Sequence, residues 1–133
     1  MEDDCLLFNI SNTNPTLIKH SPGWSLLIDF KQNTLGSCLL VPDEHHESLS
    51  GLFESIGTGG IYDYARTITA YEKALKAAFN PDLYNHLMMA NVVKHIHWHI
   101  RPRYSEQRIF AGRAWIDENF GKRTGPSGEE LDQ

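Results

Sequence analysis

Polar and apolar positions alternate most strictly over Lys94-His95-Ile96-His97-Trp98-His99-Ile100-Arg101-Pro102-Arg103. A period of two predicts a strand that ends at Pro102. It turns Ile96, Trp98 and Ile100 toward a core and sets three imidazoles in a row on the other face. Shorter apolar runs at Trp24 to Phe30 and Ser37 to Val41 also read as strands, joined by the polar connection Lys31 to Gly36. Leu83 to Ala90 is a further strand, linked to the histidine strand through Asn91-Val92-Val93-Lys94.

A different period governs the middle of the chain. Leu49 to Ile56 is helical, Gly57-Thr58-Gly59-Gly60 breaks it, and a longer helix follows from about Tyr62 to Phe79. Tyr64, Ile68, Tyr71, Leu75 and Phe79 recur at steps of three and four, which makes a core-facing stripe. Lys73 and Lys76 suit its later turns, and Asn80-Pro81 stops it. Two strands, helices, then two strands leave little room for parallel crossovers. The expected fold is α+β, an antiparallel sheet of about five strands with helices packed on one side.

The 133 residues suit one domain over 1–120, followed by a poorly ordered tail at 121–133 that has almost no apolar residue besides Leu131. Phe110, Trp115, Ile116 and Phe120 before it suit core cover or a partner surface. A net charge of −5 argues against a nucleic-acid partner, which needs a basic footprint. No apolar run is long enough to span a membrane, and the start Met-Glu-Asp-Asp lacks the features of a secretion signal. Cys5 and Cys38 do not form a disulfide framework, so the expected location is the cytoplasm.

Three alternating histidines admit three chemistries. A metal would use two of them, with His45 or His46 as a further donor, because His95 and His99 stand roughly 13 Å apart on a regular strand. A phosphate site uses all three, with one imidazole as nucleophile and its neighbours holding non-bridging oxygens. Arg101 and Arg103 add cations if the strand runs on regularly past Pro102. The third reading is a structural cluster without chemistry.

The run His95 to Arg103 resembles the signature of the histidine triad (HIT) family of nucleotide hydrolases and transferases: three alternating histidines with apolar spacers, then Pro-Arg. A second motif agrees. Asp29 is followed seven residues later by Gly36-Ser37-Cys38-Leu39-Leu40-Val41-Pro42-Asp43-Glu44-His45, which is similar to the family's strand and following histidine segment. The resemblance spans Trp24 to Tyr104.

The resemblance implies a HIT-like fold, a homodimer and a site on residues matched one by one. His97 is the nucleophile at the α-phosphorus of a nucleotide derivative, forming a nucleotidyl-histidine intermediate that water releases. His99 and His95 orient the phosphate and assist proton transfer, and His45 is a distal fourth histidine. Asp29 sits where the family binds ribose hydroxyls, and Asn91 where many members carry an amide near the phosphate. Asp29 and Asn91 also suit ordinary turns, and His45 a solvated helix start. Substrates would be nucleoside phosphoramidates or dinucleoside polyphosphates, most simply adenosine-based. No cofactor or metal is required, Mg²⁺ entering only with a polyphosphate. A nucleotidyl transferase or phosphorylase on the same fold and a non-catalytic nucleotide-binding protein are the alternatives.

The chain also departs from the family pattern. Arg101 is less apolar than the usual residue there, and Ser37 replaces a frequent histidine. The segment before the triad shrinks to Asn91-Val92-Val93. Phe8 stands where some members carry the second cysteine of an N-terminal Cys-x-x-Cys zinc site, so no such zinc is expected.

Overall fold

The computed structural model describes residues 16–88 and 95–122. Asn91, Cys5, Phe8 and the tail beyond Lys122 lie outside these residues. Strands β1 (Leu17–Ser21), β2 (Trp24–Ile28) and β3 (Cys38–Pro42) lead into helix α1 (Leu49–Phe79). Strands β4 (Leu83–Met88) and β5 (Trp98–Arg103) follow, then a small hairpin of β6 (Arg108–Phe110) and β7 (Arg113–Trp115). The first five strands form one sheet in the order β1-β2-β3-β5-β4, antiparallel at every pairing. The α+β architecture expected from the sequence is therefore present, with the two expected helical segments joined in α1 across a kink at Gly57.

Register explains which side chains are buried. Leu26, Leu40, Trp98 and Met88 lie level across β2, β3, β5 and β4, and Ile28, Cys38, Ile100 and His86 form the next row on the same face. Trp24, Leu26, Cys38, Leu40, Trp98 and Ile100 join Leu52, Tyr71 and Leu75 of α1 in one core cluster, with Tyr64, Ile68 and Phe79 packed against it. The helical stripe is thus core. Cys38 belongs to this buried layer, and burial pushes its thiol up to about 11, which keeps it an inert thiol.

Two expectations need correction and one is sharpened. The break expected at residues 57–60 is present as a non-helical Gly57, which kinks α1 and does not end it. Gly57 takes φ 64° and ψ −169°, a conformation open only to glycine. Gly60 also has a task, because its carbonyl accepts the Trp24 indole N–H at 3.1 Å. Pro102 does not end the histidine strand. It pairs with Tyr84 inside β5, beyond Ile100 where β3 stops pairing, so its missing N–H costs no bond to β3. Finally, β5 begins only at Trp98, so His95 and His97 precede the strand.

Three elements carried weak sequence signals. β1 is mostly exposed, and its polar Lys19-His20-Ser21 hides the strand. β6 and β7 have three residues each, too short for a period. Their Phe110 packs edge-on against Phe79 at the helix end, with ring centres 5.2 Å apart.

Candidate active site

Trp98 and Ile100 face α1, so His99 and Arg101 occupy the opposite face of β5, with His99 level with Leu39, Leu27 and Leu87. His97 and His99 meet edge to face with ring centres 5.1 Å apart. His95 is fully buried and His97 nearly so, whereas His99 keeps partial exposure. The three rings therefore have three different environments.

Hydrogen bonds fix the tautomers. His95 Nε2 lies 3.0 Å from the Pro42 carbonyl, which can only accept, so Nε2 carries the proton. Burial, partly offset by that bond, lowers the His95 pKa and favours a neutral ring. Its Nδ1 then accepts, and the proton in the 3.0 Å contact between the two Nδ1 atoms belongs to His45. His97 Nδ1 donates to the His95 carbonyl at 2.7 Å. That leaves His97 Nε2 as the ring's lone-pair nitrogen, the form a nucleophile needs.

The loop after β3 holds His45 in place from both sides. Asp43 binds His20 at 2.8 Å and Ser25 at 3.3 Å, and its N–H reaches the Gly23 carbonyl. Glu44 accepts from Ser55 of α1 and pairs with His46 at 3.1 Å. The His46 carbonyl takes the Ile96 N–H at 2.9 Å, tying this loop to the segment between His95 and His97. Sequence reasoning left His20 and His46 without this anchoring role.

Asp29 serves two purposes at once. One carboxylate oxygen accepts the Lys31 N–H at 3.0 Å in a tight turn, and the other lies 3.8 Å from His99 Nδ1. That gap is too long for a hydrogen bond but brings Asp29 into the same site. Gln32 bonds the carbonyls of Asp29 and Ser37 and accepts from Gly36, while buried Ser37 closes onto Thr34. Burial, then His97 and Arg101, lower the His99 pKa, with Asp29 pulling the other way. Arg103 is no phosphate ligand in this arrangement. Its guanidinium is buried, forked onto Asp117 at 2.6 and 2.9 Å, and bonded to Asn85 at 2.9 Å.

Of the residues singled out in the sequence, His45, His95, His97, His99 and Asp29 thus converge, and Asn91 lies outside the described residues. A cleft of about 1040 Å³ occupies the opposite face of the sheet, between α1 and β1–β2, lined by Ile18, Leu26, Ile28, Ala74 and Phe79 among others. It holds none of the triad, so the chemistry and this cleft are separate.

A HIT domain model matches residues 11–106. The chain belongs to the HIT domain family. Among solved structures, this HIT domain is similar to a HIT family protein from Bacillus anthracis, at 24% identity over 68% of this chain and 65% of that one, TM-score 0.57. It is also similar to a hypothetical histidine triad nucleotide-binding protein from Sulfolobus tokodaii, at 17% identity over 79% and 74% of the two chains, TM-score 0.58. A Hit-like protein involved in cell-cycle regulation from Bartonella henselae aligns at 20% identity over 71% and 73%, TM-score 0.55. The HIT domain here spans 65% of the length of the Bacillus anthracis protein and of one from Bacillus subtilis. No curated protein sequence matches significantly. These likenesses establish the fold.

Proposed function

We propose that this HIT domain hydrolyses nucleoside phosphoramidates or dinucleoside polyphosphates at the α-phosphate, through a nucleotidyl intermediate on His97. The supporting observation is the His97 Nδ1–H bond to the His95 carbonyl, which leaves Nε2 as the lone-pair nitrogen that an attack on phosphorus needs. Nε2 forms the N–P bond as the P–N or P–O bond to the leaving group breaks, and that group departs with its electron pair and takes a proton. Water then attacks phosphorus, the bond to Nε2 breaks, and the nucleoside monophosphate leaves. His99 faces the same space and suits proton transfer and phosphate orientation. His95 has both ring nitrogens on protein partners, so its part is to position the His97 backbone and His45. Asp29 suits the vicinal ribose hydroxyls, as a carboxylate accepting from both.

No cofactor enters this scheme, and Mg²⁺ would arrive only with a polyphosphate. A homodimer fits the family and the edge position of β4, which among the described residues pairs only with β5. Adenosine 5′-phosphoramidate and a diadenosine polyphosphate, each assayed with and without inorganic phosphate, test the reaction. Release of AMP independent of phosphate is the expected result. A phosphate-dependent nucleoside diphosphate would instead indicate a phosphorylase, and binding without turnover a nucleotide-binding protein.

A further inference from the structure

Among the described residues, only two buried side-chain polar atoms have no hydrogen-bond partner, His99 Nδ1 and Arg101 Nε. They are neighbours on one strand face, two residues apart in β5. Buried polar atoms left unpaired are costly and rare, so two side by side call for a ligand that meets both. His99 Nδ1 is the proton-bearing nitrogen, since the Asp29 oxygen 3.8 Å away is an acceptor. Arg101 Nε is a donor only, which selects an oxygen, and its planar fork matches the oxygens of a phosphate. Among the described residues Arg101 forms no ion pair, in contrast to Arg103 two residues on. The Asp117 carboxylate is already taken by Arg103 and the N–H groups of Tyr104 and Asn119.

Register says which end of a nucleotide this is. Ile28, Cys38 and Ile100 lie level, and the Asp29 N–H bond to the Ser37 carbonyl at 3.1 Å continues the match by one residue. Asp29 and Arg101 therefore stand level across the sheet, two strand spacings or roughly 10 Å apart at Cα. His97 lies four residues before Arg101, at the other end of the row. With phosphorus at His97 and the ribose hydroxyls at Asp29, Arg101 borders the ribose and not the scissile bond.

We infer that His99 Nδ1 and Arg101 form an anion subsite for a second phosphate on the ribose, so that the site takes 2′- or 3′-phosphorylated adenosine nucleotides in preference to simple ones. This rests on the nucleotide reading above and names its substrate class. Asp29 keeps the remaining hydroxyl. An apolar residue at position 101, the family's habit, would offer such a phosphate nothing.

Calorimetric titration at fixed salt with adenosine 5′-monophosphate, adenosine 2′,5′-bisphosphate and adenosine 3′,5′-bisphosphate tests it. One bisphosphate is expected to bind at least about tenfold tighter than the monophosphate. In Arg101→Leu that ratio falls to about one. Arg101→Lys keeps the charge but loses the fork, so the ratio drops severalfold, and this variant still reports if the leucine variant does not fold. Lys73→Leu, on exposed α1, removes equal charge and leaves the ratio unchanged. Equal binding of all three ligands to wild type, or an unchanged ratio in Arg101→Leu, overturns the subsite. Nucleotide binding with the expected ratio but no turnover overturns only the hydrolase. Failure of every nucleotide to bind overturns both.

Discussion

A chain of fixed tautomers runs from the Pro42 carbonyl through His95 to His45, and a separate bond sets His97. The order matters because a neutral imidazole has one lone pair, and each carbonyl decides where it lies. His95 and His99 both have pKa values lowered first by burial. Their unfolded counterparts titrate near 6.5 and so bind more protons below that value. Stability should therefore be full above about pH 6.5 and fall as pH drops toward the lower folded values. Urea midpoints measured between pH 7.5 and 5.5 are expected to decline, and His99→Gln to flatten part of that slope. A midpoint that rises on acidification would contradict the assignment. The identities of these groups were legible in the motif, but their division of labour was not. Alternation makes the three rings look equivalent, and only the Pro42 and His95 carbonyls distinguish them.

Gly57 divides α1 into a short arm that carries Ser55 to Glu44 and a long arm that carries Tyr71 and Leu75 into the core. The kink lets one helix serve both the His45 loop and the sheet. A Cβ at Gly57 meets nothing within 4 Å, so the constraint there is backbone conformation and not space. Gly57→Ala is expected to cost about 1–3 kcal/mol, read by chemical denaturation. A change below a few tenths would mean that the kink is not required. The four glycine and threonine residues signalled an interruption in the sequence, but local propensity alone could not say that helical hydrogen bonding resumes across it. The same limit applies to β5. Alternation from His95 onward resembles strand throughout, yet β3 pairs only with Trp98 to Ile100, so pairing sets the boundary. β1 stayed hidden because an exposed edge strand needs little apolar sequence.

The described residues build a five-stranded sheet with one face covered by α1 and the other carrying His99 and Arg101. Among the described residues, β1 and β4 are its two edges. Edge strands present unpaired backbone groups, and symmetric pairing of a second copy is a common way to cover them. Sedimentation velocity at micromolar concentration is expected to give about twice the 15.1 kDa chain mass. A species at the single-chain mass would remove the homodimer from the proposal. The overall architecture was accessible from two separated motifs and one helical stripe, because strand parity and helix period are local. The Arg103–Asp117 pair was not, since it joins β5 to a segment with no period of its own.

Everything in the proposed reaction depends on His97 Nε2 becoming covalently bound to phosphorus. Wild type and His97→Ala should be incubated with a nucleotide labelled in its adenylyl group, then quenched in mild base, where a phosphoramidate bond outlasts acid conditions. The expected result is label on wild-type protein and none on the variant, whose turnover falls by about 10³-fold or more. Equal turnover by both proteins, or label retained on His97→Ala, would contradict the assignment of His97 as nucleophile.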